Sequence, residues 1–445
     1  MDSPRASLSI SFVIIGGSIA GLSSAYALCK AGHRAIVVET SDGISKVGGS
    51  LRCPPNMTRI LKQWPGMLEM FQARATKCSG YGFRIWADTS ERVGYMKFHE
   101  EIMSELGADF LMLQYDDLRR ELTSLCLAAD VVFEYKRNVV DVKSENGSVT
   151  VVLDDGKRLM GDVAVGADGH SSVVRSLVEE SPSGSIHTVT GINISIPARC
   201  VKEDEDLRSL CNEKELTIWM GAGSSLIGTL DVTANVFDIS VCSPVRLDVE
   251  DGDWYTEHSV GETIPSYRLS GCDPRLQKLI QQGYACCPSV QEVYEHDEIV
   301  GLNGTAVLVG DAAHSALIHG SHNSSMAVED AVTLGRLFSR LSSRKQIPLL
   351  LNAYREIRHP RTSSTQDSEY NWFEQFTLPP GPLQDARDAG FNATLSPEFE
   401  DFANCEASEV IVSIWEQYII LFNHDADEEV DNWWSMWGSA VAALA

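Results

Sequence analysis

The stretch SFVIIGGSIAGLSSAYALCKAGHRAIVVET, residues 11–40, constrains the fold more than any other. Phe12 to Ile15 is an unbroken apolar run, as a parallel strand buried on both faces requires. From about Ala20 the pattern becomes helical, with Leu22, Ala25, Leu28 and Cys29 on one face and Gly32 as the expected stop. Ala35 to Val38 predicts a second strand, ending in Glu39. Between strand and helix stands Gly16-Gly17-Ser18-Ile19-Ala20-Gly21, a dinucleotide fingerprint with Ser18 in place of the central glycine. Glu39, followed by Thr40, falls 18 residues beyond Gly21, where an acid binds a ribose hydroxyl. A carboxylate there repels a 2′-phosphate, so FAD or NAD fits this site better than NADP.

The strand-then-acid device recurs twice. GDVAVGADGHSSVVR places the strand Val163 to Val165 before Asp168, with a helix from about Ser172 that includes Arg175. GTAVLVGDAAH places the strand Ala306 to Val309 before Gly310-Asp311, and a helix is expected from about Ser324. A helix N-terminus there would offer amides to a pyrophosphate or a flavin carbonyl.

Composition narrows the partners. The formal net charge is −26, so the surface repels nucleic acid and anionic membranes. The 11 cysteines form no C-x-x-C pair, and Cys286 and Cys287 are adjacent, which suits free thiols in a reducing compartment. The apolar N-terminal run flows straight into the glycine motif and reads as a strand, not a signal peptide. No apolar window is long enough to span a membrane. A cytoplasmic protein is expected.

The order GGSIAG with Glu39, GADGHSSVVR, then GDAAH…VEDA resembles the FAD-dependent aromatic hydroxylases, the class A flavoprotein monooxygenases. PPNMTRIL and DADEEVDNWWSMWG resemble the fungal salicylate-hydroxylase-like group among them. The resemblance implies an α/β fold: a Rossmann-like FAD-binding domain of the para-hydroxybenzoate hydroxylase type, an inserted α+β substrate domain on a largely antiparallel sheet, and C-terminal helices. Residues 8–76, 111–185 and 299–370 would form the FAD-binding domain, 77–110 and 186–298 the substrate domain, and 371–445 the helical end. The implied reaction is hydroxylation of a phenolic or hydroxybenzoate-type arene by FAD, O2 and a transient NADPH or NADH, through a flavin C4a-hydroperoxide, with oxidative decarboxylation as one route. An epoxidase, a double-bond reductase or a flavin-binding protein without turnover are the alternatives.

The same resemblance assigns FAD contacts to Gly16, Ser18, Ile19, Ala20, Gly21, Glu39, Thr40, Gly48, Gly49, Asp168, Gly310, Asp311 and Ser324. The family's arginine before x-D-L is Tyr115 here; Arg119 or Arg120, about one turn later, is the expected substitute, and Tyr115 is itself a candidate FAD contact through its hydroxyl. The family's GQGAN is replaced by Ser321-His322-Asn323-Ser324-Ser325. His319 and His322 are candidates for a base or a substrate hydrogen bond. Their spacing also suits a metal, but serines and Asn323 are poor partners for one, and no metal is expected. Arg52 is the candidate cation for an acidic substrate.

GINISIPA, LTIWMG, SLIGTLDV and VFDISVCSP alternate polar and apolar residues and predict antiparallel strands. Trp219, Thr229 and Arg84 are the substrate-side candidates there. After the helix at VEDA, a second helix is expected from Leu349 to Arg358, broken by Pro360. Pro379-Pro380-Gly381-Pro382 marks a connection, and the remainder reads as aromatic-rich helices packed on the body or at a dimer contact. The chain is expected to be a monomer or a homodimer.

Overall fold

The computed structural model describes residues 5–43, 49–86, 91–178, 183–211, 214–243, 260, 272–283, 285–295, 298–314, 320–395 and 409–444. Two sheets organise the chain. The first has six strands in the order Val300–Gly301, Ala306–Leu308, Val163–Gly166, Ser11–Ile15, Arg34–Glu39, Val132–Tyr135. All neighbours are parallel except the first pair. Phe12, Val13 and Ile14 have no exposed surface, because helices lie on one side and the strands Val139–Glu145, Ser148–Leu153 and Arg158–Gly161 add Val142, Val149 and Val151 to the same core. Burial of each such side chain contributes ~1.5–3 kcal/mol.

The second sheet has seven strands: Ala285–Glu295, Ser183–Pro197, Val236–Ser243, Ser224–Asp231, Leu216–Gly221, Gly80–Ile85, Arg92–Lys97. It is antiparallel except where Leu216–Gly221 runs parallel to Gly80–Ile85. Its register sorts the side chains by face, since alternate residues point to opposite sides. Ile192, Phe237, Ile239, Leu226 and Trp219 build one core. The opposite face changes character across the sheet. Asn193 pairs with Ser240 and Ser195 with Asp238; then come Ile227 and Ile218, and then Phe83. It is polar at one end and apolar at the other. A smaller antiparallel sheet, Ser50–Cys53 with Leu111–Gln114 and Thr76–Lys77, completes the frame.

The helix expected to stop before Pro360 instead runs from Ile347 to Phe376, with Pro360 inside it. Proline removes one helical hydrogen bond, but buried ion pairs hold the helix on both sides. Arg358 bonds Glu329 and Asp330, and Arg361 bonds Glu329. Tertiary pairing outweighs the local breaker. The next helix, Pro382–Ala393, follows the Pro-Pro-Gly connection. Among the final helices, Trp415, Tyr418, Leu421 and Phe422 join Phe98 and Phe110 in one aromatic cluster, so this end packs on the body. Among the described residues no helix is long and apolar enough to cross a membrane.

Candidate functional site

The carboxyl ends of three parallel strands bring the three motifs together, at the edge where α/β sheets bind ligands. Gly16 follows Ile15, Ala167 follows Gly166 and Val309 follows Leu308. Gly16 has φ +108, and a Cβ there would lie 2.2 Å from Ala167 O. Gly21 faces Gly16 O so closely that a Cβ would stand 1.9 Å from it. Only glycine lets the helix Ile19–Lys30 begin this close to the strand. Its N-cap residue, Ser18, makes no side-chain cap bond, which leaves the helix N-terminus to a ligand. Glu39 accepts the N–H of Gly17 at 2.7 Å and that of Ser41 at 2.8 Å, and Thr40 donates its hydroxyl to the same carboxylate. Arg119 Nε donates to Gly17 O at 3.3 Å and its Nη1 to Gly43 O at 2.6 Å. It therefore places a cation over the glycine loop, where Tyr115 supplies none. Tyr115 donates its N–H to Gly49 O at 2.9 Å.

The second and third motifs are clamped by Arg175. Its guanidinium donates to the carbonyls of Ala312, Asp311, Gly169 and His170 at 2.9–3.1 Å. Asp168 is turned to its own loop, accepting from Ser172 Oγ at 2.5 Å and Val173 N at 2.7 Å. Burial pushes its carboxyl above the ordinary value, against these bonds. Asp311 is half-buried, and burial raises its pKa while His314, His170 and Arg175 pull it down. Gly310 N–H donates to Asp330 Oδ2 at 2.8 Å, and His314 Nε2 bonds the same oxygen at 2.8 Å. Burial alone would raise Glu329, but Arg361 and Arg358 hold it well below the usual carboxylate range.

Two adjoining cavities lie between this edge and the second sheet. One, of about 150 Å³, is lined by Gly49, Arg52 and Ser324 on one side and by Asn193, Ser195, Thr229, Asp238 and Ser240 on the other. Asp238 accepts from Ser195 Oγ at 2.6 Å and Gln114 Nε2 at 3.2 Å. Burial pushes its pKa up to about 6, against both bonds, and the neighbouring Asp231 adds to the rise. The second cavity, of about 50 Å³, is apolar: Tyr81, Leu216, Ile218, Ile227, Trp372, Phe376, Tyr418 and Leu421 wall it, with His322 and Glu369. Arg52 lines both cavities and donates from Nη1 to Gly320 O at 3.1 Å. Its burial depresses its pKa, and Tyr81, Cys242 and Glu369 oppose that.

Arg52, Thr229, His322, Gly49 and Ser324 thus stand at the cavities, while Trp219 and Arg84 do not. Trp219 is 1% exposed in the core on the far face, and Arg84 is its neighbour across the paired strands. The pleat explains the correction: Ile218 faces the chamber, so Trp219 faces away. Gly48 and His319 lie outside the described residues. Arg175, Asp238 and Glu369 were not singled out in the sequence. Only Asp238 left a local signal there, as a polar residue two positions from Ser240 in an otherwise apolar strand. Among the described residues no three His, Cys, Asp or Glu side chains are grouped to hold a metal.

The uncapped helix, the closely packed glycines, Glu39 at the strand end and Arg119 over the loop fit the adenosine and pyrophosphate of FAD. Comparison with known proteins agrees. The sequence pattern of the FAD binding domain family matches residues 9–368. An FAD-dependent monooxygenase, atnJ, of Arthrinium sp is 27% identical over 392 residues, 86% of this chain and 88% of that one. The 3-amino-4-hydroxybenzoate 2-monooxygenase PtmB3 of Streptomyces platensis is 28% identical over 379 residues, 84% of this chain and 90% of that one. A salicylate hydroxylase, solved as its substrate complex, superposes with a TM-score of 0.69 at 18% identity, covering 95% of this chain and 97% of that one.

Proposed function

Since this chain belongs to the FAD binding domain family and is an FAD-dependent monooxygenase, we propose that it hydroxylates a phenolic or hydroxybenzoate-type arene in the cavities between the two sheets. The observation that carries this reading is Arg52, which lines both the polar cleft and the aromatic chamber. A guanidinium at that junction matches a ring carboxylate in charge and geometry. The aromatic walls match the ring itself. PtmB3, by its name, acts on a benzoate carrying a hydroxyl and an amine, which supports the same substrate class.

When bound, FAD reduced by NADH or NADPH activates O2 and supplies the hydroxyl group. The residues of the chain do the rest. Gly16 to Gly21, Glu39 and Arg119 would hold the nucleotide end; Gly310, Asp311, Gly49 and Ser324 would hold the flavin end. Tyr81, Trp372, Phe376 and Tyr418 exclude water from the reacting ring, which strengthens every polar contact inside. Arg52 fixes the ring's orientation through its carboxylate.

The test is oxygen uptake by the FAD-loaded enzyme with NADH or NADPH, across a panel of phenols and hydroxybenzoates. Uptake stimulated by the substrate, with a hydroxylated product, is the expected result. Product mass distinguishes hydroxylation that keeps the carboxylate from hydroxylation at the carboxylate-bearing carbon with loss of CO2. A panel in which no arene stimulates uptake contradicts the reading.

A further inference from the structure

We propose that His322 is the proton acceptor for the ring hydroxyl of the substrate, and that Glu369 is the positioning residue that prepares it. This deepens the phenolic-substrate reading and rests on it. The observation comes from the segment Ser321 to Ser325, at the start of the helix Asn323–Phe338. Glu369 Oε1 accepts two hydrogen bonds from one residue: the backbone N–H of His322 at 2.9 Å and His322 Nδ1 at 2.9 Å. A carboxylate only accepts, so the proton sits on Nδ1 and the lone pair is left on Nε2. The ring of His322 also lies against Phe422, with centroids 5.7 Å apart and planes 27° apart, which fixes its orientation. Nε2 is buried and has no hydrogen-bond partner among the described residues, although His322 is only 2% exposed. A buried polar nitrogen left bare is destabilising. His322 lines the chamber that Arg52 also lines.

The charges around the ring suit one proton transfer. Arg52, Glu369, Tyr81 and Tyr418 are the titratable groups that share the chamber with His322. His322 is also the N-cap of the helix Asn323–Phe338, and the Glu369 carboxylate on its Nδ1 pairs with the cation that the transfer creates. In the step, the phenol O–H bond breaks, the Nε2–H bond forms, and the electron pair stays on oxygen. The resulting phenolate is the electron-rich ring that hydroxylation requires, and Arg52 stands beside it as counter-charge.

The experiment uses the FAD-loaded enzyme, without oxygen or reductant, and para-nitrophenol as the probe. The phenolate band of bound probe is followed against pH. The wild type is expected to ionise the bound probe at a lower pH than free solution does. His322→Gln should leave it protonated and lower kcat/KM on panel phenols by ~10²–10⁴-fold. Glu369→Gln keeps an oxygen that can accept both His322 bonds but removes the charge. It should raise the ionisation midpoint by ~1 unit or more with the fold intact. This second variant serves if His322→Gln does not fold. Unchanged midpoints in both variants, or a wild type that leaves the probe protonated or does not bind it, overturn the assignment. If the hydroxybenzoate panel is active while the midpoints do not move, the assignment alone falls. If no phenol stimulates oxygen uptake, the parent reading falls with it.

Discussion

Arg358 Nε stands 2.7 Å from Asp330 Oδ1, while the other oxygen of that carboxylate accepts the N–H of Gly310 at 2.8 Å. One buried acid therefore joins the long helix Ile347–Phe376 to the loop that carries Asp311. Both partners have no exposed side-chain surface. Removing the guanidinium takes one cation from both Asp330 and Glu329, leaving them to His314 and Arg361, at a cost of ~3–5 kcal/mol. Arg358→Met should lower the melting temperature sharply and reduce the FAD retained on purification. Arg358→Lys should restore only part of both, because an ammonium lacks the fork that reaches two carboxylates. A thermal melt with flavin quantitation checks this; an Arg358→Met variant that melts and binds flavin like the wild type contradicts it.

Asp311→Ala should cost most of the bound flavin. A charged hydrogen bond contributes ~1.5–3 kcal/mol, a factor of ten or more in affinity. Glu39→Ala should also weaken FAD binding, with turnover recovering when FAD is added in excess, because the acid sits at the nucleotide end of the cradle. Titrating apoprotein with FAD by flavin fluorescence separates the two effects from a loss of fold. Wild-type affinity in Asp311→Ala would remove the third motif from the site.

Asp238 makes stability depend on pH with a definite sign. Its folded pKa is raised from 3.8 to about 6, so between those values the native state holds more protons than the unfolded chain. Stability is therefore lost as pH rises through this window and stays reduced above it. The full shift corresponds to about 3 kcal/mol as an upper bound. Asp238→Asn keeps a polar side chain without the charge. It should raise the melting temperature at neutral pH and change it little near pH ~4. Equal shifts at both pH values would show that the buried carboxylate is not the cause.

The cofactor half of this site was legible in sequence, and the reason is local. Gly16 to Gly21, Glu39, Gly310 and Asp311 are close to strand ends, and a turn that must pass close to a phosphate dictates its own residues. The substrate half was not. Glu369 meets His322 across 47 residues, on a helix that the sequence reads as ending at Pro360. The ion pairs of Arg358 and Arg361 hold that helix on both sides of the proline, and Phe373 and Phe376 bury it further on. Trp219 is a substrate-side candidate by its strand alone, and alternation does not say which face meets the site; one step along the pleat turns it to the far face. Arg175 looked like an ordinary helical residue; its four carbonyl partners come from two separate loops.

Arg52 makes a prediction about selectivity. If it holds the ring carboxylate, Arg52→Met should raise KM for hydroxybenzoates by tenfold or more, since a charged hydrogen bond contributes ~1.5–3 kcal/mol. Phenols that lack a carboxylate should be affected far less, because they never used the cation. Steady-state kinetics on one matched pair, a hydroxybenzoate and its decarboxylated phenol, decides this. Equal losses on both would show that Arg52 shapes the chamber without reading the substrate's charge.

The most direct measurement is the mass of the product formed under heavy-isotope dioxygen. The FAD-loaded enzyme is given NADH or NADPH and the most active arene of the hydroxybenzoate panel. The account predicts a product that carries one oxygen atom from the labelled gas, at a rate that falls in His322→Gln and Arg52→Met. A product without the label, or reductant consumed with no change in the arene, would contradict it.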